Sequence, residues 1–124
     1  MEIGAKQLAY LMAVYTLNQQ PEAVGTAEIA RMMGCSKASV SNMMTTLMNR
    51  GLLVKERYGK VYLTDTGYLL ARDTHQCMEE LQRRLPLLDL ALTPDQNCEA
   101  ALALLSVLPE SALEQLHQAG ENAR

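Results

Sequence analysis

Apolar positions along the chain recur mostly at helical spacing and switch once, briefly, to a strand-like run. Leu8, Leu11, Met12 and Tyr15, widened by Val14 and Leu17, predict a first helix over 5–19. A loop over 19–22 contains Pro21, and Ala23, Val24 and Gly25 suit one short strand. Thr26 is a good N-cap for a short helix over 27–33. Gly34 and Cys35 make a turn, and Ser36 caps a second helix. Val40, Met43, Met44 and Leu47 form the buried stripe of that helix, which closes at Asn49, Arg50 and Gly51. The period then changes. Residues 52–57 and 60–64 read as two strands around a turn at 58–59. Thr64 or Asp65 caps a long helix over 66–84, with Leu69, Leu70, Cys77, Met78, Leu81 and Leu85 as its apolar members. A leucine-rich break surrounds Pro86. Thr93 caps a helix over 94–107, and a last helix over 110–118 ends near Gly120.

This order predicts a mainly α protein: a winged helix-turn-helix with a two- or three-stranded wing, followed by a helical region. In such a motif the second helix enters the DNA major groove. Its outward positions, Ser36, Lys37, Ser39, Ser41, Asn42, Thr45 and Thr46, are polar and mostly short. Short side chains allow close approach, Asn pairs bidentately with adenine, and Ser or Thr bonds to bases or phosphates. The bland alternative is a solvated helix face. Lys55, Arg57, Tyr58 and Lys60 of the hairpin are placed to flank the minor groove or its phosphates; the alternative is a hairpin that only packs the domain. The candidate DNA contacts are therefore Ser36, Lys37, Ser39, Ser41, Asn42, Thr46, Lys55, Arg57 and Lys60.

The net charge of −3 is unlike a DNA binder's until it is divided. Residues 1–72 hold eight Lys/Arg against five Asp/Glu, and 73–124 hold three against nine. Between 31 and 60 there are six basic residues and one acidic, so positive charge collects on the proposed reading segment. The chain has no Phe or Trp and eight Met, which leaves Met and Leu to fill an adaptable helical core. Its three cysteines, Cys35, Cys77 and Cys98, lack CxxC spacing, which argues against a disulfide framework or zinc knuckle. No apolar run reaches the ~20 residues that span a bilayer, and the first ten residues lack signal-peptide regions, so a cytoplasmic protein is expected.

The leucine-rich, acidic last third holds more apolar residues than surface helices of a small monomer need. A twofold homodimer answers this and places two reading helices about one DNA turn apart. The expected division is a DNA-binding domain over 1–72 and a helical dimerisation region over 73–124. Two alternatives come from other classes. One is a winged helix that docks a protein partner. The other is an enzyme, disfavoured by two isolated histidines and the lack of a phosphate loop or HExxH motif.

The runs YLMAVYTL and VGTAEIARMMGCSKASVSNMMTTLMNRGLL, with a wing ending in LTDTG, resemble the iron-dependent repressor family, of the diphtheria toxin repressor and manganese transport regulator type. The resemblance covers about residues 7–85; a winged helix of the multiple-antibiotic-resistance type is similar. It implies a homodimeric regulator of double-stranded DNA, contacting it through Ser36, Lys37, Ser39, Ser41 and Asn42. Ala38 stands where members often have Pro. It also implies Mn²⁺ or Fe²⁺ bound by the first, long and following helices, but most ligands are absent. The first-helix ligand positions fall on Ala9 and Met12, and the long-helix histidine falls on Met78. The Cys/Glu-x-x-Glu-His segment falls near Cys98 or Glu99, followed by Ala101, Leu102 and Ala103. One rebuilt site is conceivable from His75 and Glu79, at i and i+4, with Cys98 or Glu99. Otherwise no metal site and no cofactor is expected. His117 is expected near a helix C-terminus, where partial positive charge is favourable.

Overall fold

The computed structural model describes residues 3–20 and 24–122. The helices are α1 (Ala5–Asn18), α2 (Thr26–Met33), α3 (Lys37–Asn49), α4 (Asp65–Arg84), α5 (Pro94–Val107) and α6 (Glu110–Asn122). The strands are β1 (Leu53–Lys55) and β2 (Val61–Leu63), and a 3₁₀ turn, Leu85–Leu88, follows α4. The chain divides into two compact units: Lys6–Ala71, and Arg72–Arg124 with Met1–Ala5. The first is a winged helix-turn-helix, as the sequence pattern predicts. The second is helical.

In the first unit α1 buries Leu8, Tyr10, Leu11, Ala13 and Val14. Met12, Tyr15 and Leu17, expected in the stripe, are only half-buried, so the buried face is rotated toward Tyr10 and Ala13. Helix α2 packs on α3 through Ile29 and Ala30 against a stripe of Val40, Met44 and Leu47. Met43 lies at the edge of that stripe and is half-buried, a correction to the sequence reading. The cap of α2 is Gly25 rather than Thr26: the Gly25 N–H donates to the Glu28 carboxylate at 2.9 Å, and Thr26 is already helical. The helix ends at Gly34, whose φ of 66° is the left-handed turn that glycine takes without strain.

The backbone N–H groups of Glu28 itself and of Gly25 hold the Glu28 carboxyl below its ordinary pKa, with Arg31 and Lys37 adding to the effect. A depressed folded pKa contributes stability above the unfolded value, and that stability is lost as pH falls through the folded value. Glu28→Gln is therefore expected to make the urea midpoint less sensitive to acid, at pH values just below the ordinary carboxylate range.

The hairpin pairs Leu53 with Leu63, Val54 with Tyr62, and Lys55 with Val61. Its strands are shorter than the predicted 52–57 and 60–64, because Glu56 already turns the chain. The Glu56 N–H donates to the Lys60 carbonyl at 2.8 Å and the Gly59 N–H to the Glu56 carbonyl at 3.0 Å. Of the expected third strand, Ala23 lies outside the described residues, as do Pro21 and Glu22 of the expected loop. Val24 and Gly25 are not a strand, but the Val24 carbonyl accepts the Val61 N–H at 2.8 Å.

The LTDTG run joins wing to α4 by two contacts. Thr64 Oγ1 donates to the Gly51 carbonyl at 2.6 Å and accepts the Gly67 N–H at 3.0 Å, so one hydroxyl caps α4 and ties it to the end of the reading motif. Gly67 lies against the Leu52 backbone, and a methyl group there would overlap the Leu52 carbonyl. Gly67→Ala is thus expected to destabilise the fold by about 1–3 kcal/mol despite its better helix propensity, measured by urea denaturation.

In the second unit α4 buries Thr74, Cys77, Met78, Glu80 and Leu81; Leu69, in the part of α4 that belongs to the first unit and expected to be apolar core, is exposed. The Glu80 carboxylate accepts from Arg83 and Arg84 on the same helix. Burial, and then Asp73, push the Cys77 thiol up, which keeps it protonated. Thr93 and Gln96 cap α5 reciprocally, and α5 buries Ala101 and Leu105. Helix α6 runs through Gly120 instead of ending there. Gly120 is buried, and a side chain there would meet the Gln76 carbonyl of α4 at ordinary contact distance.

Candidate nucleic-acid interface

Helix α3 is held by side chains the hydropathy pattern does not point to. Tyr10 of α1 is buried, and its hydroxyl lies 3.2 Å from Cys35 Sγ in the turn between α2 and α3. That contact, followed by burial, raises the Tyr10 pKa, so the phenol stays neutral. Beyond the other end of α3, Arg50 donates to Gln7 Oε1 at 3.2 Å. Helix α1 is thereby bonded next to both ends of α3, in addition to the apolar contacts beneath it. The sequence carries no distinct signal for this, since α1 also holds Lys6, Tyr15, Thr16 and Asn18.

All six predicted contacts on the reading segment, Ser36, Lys37, Ser39, Ser41, Asn42 and Thr46, are exposed, as is Thr45. Their hydroxyls are not equivalent. Ser36 Oγ accepts the Ser39 N–H at 3.1 Å, which caps α3, and donates to Ser39 Oγ at 3.0 Å, so its donor is already spent. Thr45 and Thr46 donate back to the Ser41 and Asn42 carbonyls at 3.1 Å. They present lone pairs and methyl groups outward, which suits base amino groups and thymine methyls. Lys37, Ser41 and Asn42 project from the same exposed helix.

Helix α3 packs against β1, which sets the wing beside it. Lys55, Arg57, Tyr58 and Lys60 are all exposed, and Tyr58, near the hairpin tip, is 86% accessible. A large aromatic side chain so exposed between basic residues adds nothing to the core of its own unit.

The metal-ligand positions do not form a site. Met78 is 8% exposed and Ala101 fully buried, so two of the positions are apolar core. His75 Nε2 lies 2.9 Å from Glu79 Oε1, both side chains about half exposed. The suggested addition of Cys98 or Glu99 to that pair is overturned: among the described residues, no three of His, Cys, Asp and Glu come together to hold a metal. His117, expected near a helix end, lies within α6 and faces Asp73 at 3.5 Å and Glu121 at 3.8 Å through opposite ring nitrogens. Two carboxylates on opposite sides of one imidazole cannot converge on one ion. A Mn²⁺ or Fe²⁺ site needs several converging O or N donors, and the residues present do not fit it.

The two helices joined by a glycine turn, followed by a hairpin, define a winged helix-turn-helix of the nucleic-acid-binding type. Residues 3–61 match the profile described as iron dependent repressor, N-terminal DNA binding domain. This segment is similar to the DNA-binding domain of the iron-dependent repressor family, whose members are transcriptional repressors, not enzymes. The manganese regulator SloR superposes with a TM-score of 0.75 at 26% identity, over 90% of this chain and 52% of that one. ScaR with bound Zn²⁺ gives 0.69 at 27%, over 91% and 52%. The hypothetical protein SSo2273 from Sulfolobus solfataricus shares the fold, with a TM-score of 0.68 at 18% identity, over 94% and 88%. The chain thus spans about half the length of SloR and ScaR. No curated protein sequence matches it. Among the described residues, no helix is long and apolar enough to cross a membrane.

Proposed function

We propose that this protein is a sequence-specific transcriptional regulator that binds double-stranded DNA as a homodimer in the cytoplasm. In this reading α3 lies in the major groove, and the wing over 52–64 lies on the backbone or minor groove. Residues 1–72 form the DNA-binding domain and 73–124 the dimerisation region. The observation that carries it is the exposed polar face of α3, with Lys37, Ser41 and Asn42, on a unit whose adjoining hairpin exposes Lys55, Arg57 and Lys60. Ser36 and Ser39 serve first to cap and orient that helix, and Thr46 offers an acceptor and a methyl group. Support for the dimer comes from the second unit. Leu87, Leu88 and Leu90 lie exposed in the segment between α4 and α5, and Val107 is exposed at the end of α5. Such apolar exposure on a small protein is relieved by a second copy.

The test is selection of genomic fragments by the purified protein, followed by titration of the selected duplex. Asn42→Ala is expected to lose about 1–3 kcal/mol of discrimination at one base pair while keeping non-specific affinity, read from a panel of single-base variants. Failure of the wild-type protein to retain any duplex at low salt, with or without added metal, would overturn the reading.

A further inference from the structure

We infer that this protein has lost the divalent-metal requirement named for its structural neighbours and takes up its DNA-binding form without an ion. SloR is titled a manganese regulator, and another neighbour is a manganese-dependent transcriptional repressor in complex with manganese. In its functional half the inference rests on the DNA-binding reading above; in its metal-binding half it does not.

The argument is a conversion of donors into core. The position where the family resemblance places a histidine holds Met78, buried on α4. Ala101, in the segment where the resemblance places a carboxylate and histidine pair, is fully accessible to neither water nor ligand at 0% exposure. Leu105, one turn further along α5, is also buried. Ala9 has no donor atom at all. Met78, Leu81, Leu85, Ala101 and Leu105 hold the second unit together by apolar burial instead, which carries no requirement for an ion. Replacing buried charged groups with packed apolar ones is commonly neutral or stabilising, so the exchange costs the fold little.

The remaining donors do not converge. The chain has two histidines. His75 is paired with Glu79, each about half exposed, and His117 is flanked by Asp73 and Glu121 on opposite nitrogens. Among the described residues, Cys77 is buried with its thiol directed at the Leu113 carbonyl, 3.8 Å away. No hard donor set of three remains among the described residues. Mn²⁺ and Fe²⁺ discriminate against softer, sparser sites of this kind.

Two measurements test this on the full chain. The first is equilibrium dialysis against Mn²⁺, Fe²⁺ under anaerobic conditions, and Zn²⁺, with metal counted per protomer and thermal melting followed in parallel. The expected result is background metal only and an unchanged melting temperature. Stoichiometric retention that is lost in His75→Ala or Cys98→Ala would overturn the inference. The second is titration of the selected duplex in a chelator and in added Mn²⁺. An allosteric ligand changes affinity by about 5–150-fold, so agreement within about twofold is expected and a larger gain with metal overturns it. If no duplex binds in either buffer, the DNA-binding reading fails, and the dialysis result alone decides the metal question.

Discussion

Replacing Lys55, Arg57 and Lys60 together with alanine is expected to weaken DNA binding on the order of 10²-fold per bound protomer at 0.1 M salt. Each phosphate neutralised releases counterions and contributes a slope of about −0.9 to log K against log salt, so three lost contacts flatten the slope by nearly 3 for each protomer, about 5 for the dimer. All three side chains are exposed on the wing, so the fold is expected to melt unchanged. The loss falls about equally on specific and random duplexes, which separates it from Asn42→Ala. Fluorescence anisotropy across a salt series reads both quantities. An unchanged slope would remove the wing from the interface and favour a protein-docking role for the hairpin.

Leu87→Glu combined with Leu88→Glu is expected to turn the proposed dimer into a monomer. These residues are 78% and 62% exposed in the single chain, so neither contributes much to its own core. A twofold interface repeats each change, and each buried leucine is worth about 1.5–3 kcal/mol, so dimerisation should weaken by at least about 10³-fold. Sedimentation velocity measures the change, and circular dichroism checks that the helices persist. DNA affinity should fall with it, because two half-sites can no longer be held together. A wild-type protein that sediments as a monomer at all concentrations, or a double variant that remains dimeric, would place the subunit contact elsewhere or remove it.

Helix periodicity and capping chemistry made most of the architecture legible. The pair of helices around Gly34, the second cap at Ser36 and the cap at Thr93 each follow from local backbone requirements, and the structure has them within a residue or two. Local signals misled where a neighbour changed the outcome. Glu28 reaching back to Gly25 moved the cap of α2 by one residue. The predicted stop at Gly120 failed because glycine permits a helix end without requiring one, and this glycine does not take the left-handed turn. Met43 and Leu69 had helical spacing, but burial depends on what covers a face, which spacing does not specify.

The exposure of the proposed DNA contacts on α3 was readable, because it follows from the buried stripe on the other side of the same helix. The supports of that helix were not. Tyr10 meeting Cys35, Gln7 meeting Arg50, and Gly67 fitting against the Leu52 carbonyl join residues far apart in the chain or depend on backbone approach. The sequence by itself determined the order of elements, the charge surplus on the reading segment and the lack of donors at the metal positions, since these are properties of residue type and spacing. Only the tertiary structure decided which hydroxyls are spent on the backbone, that Met78 and Ala101 are closed core, and that both histidines already face carboxylates. Convergence in space, unlike periodicity along a helix, is set by packing between elements.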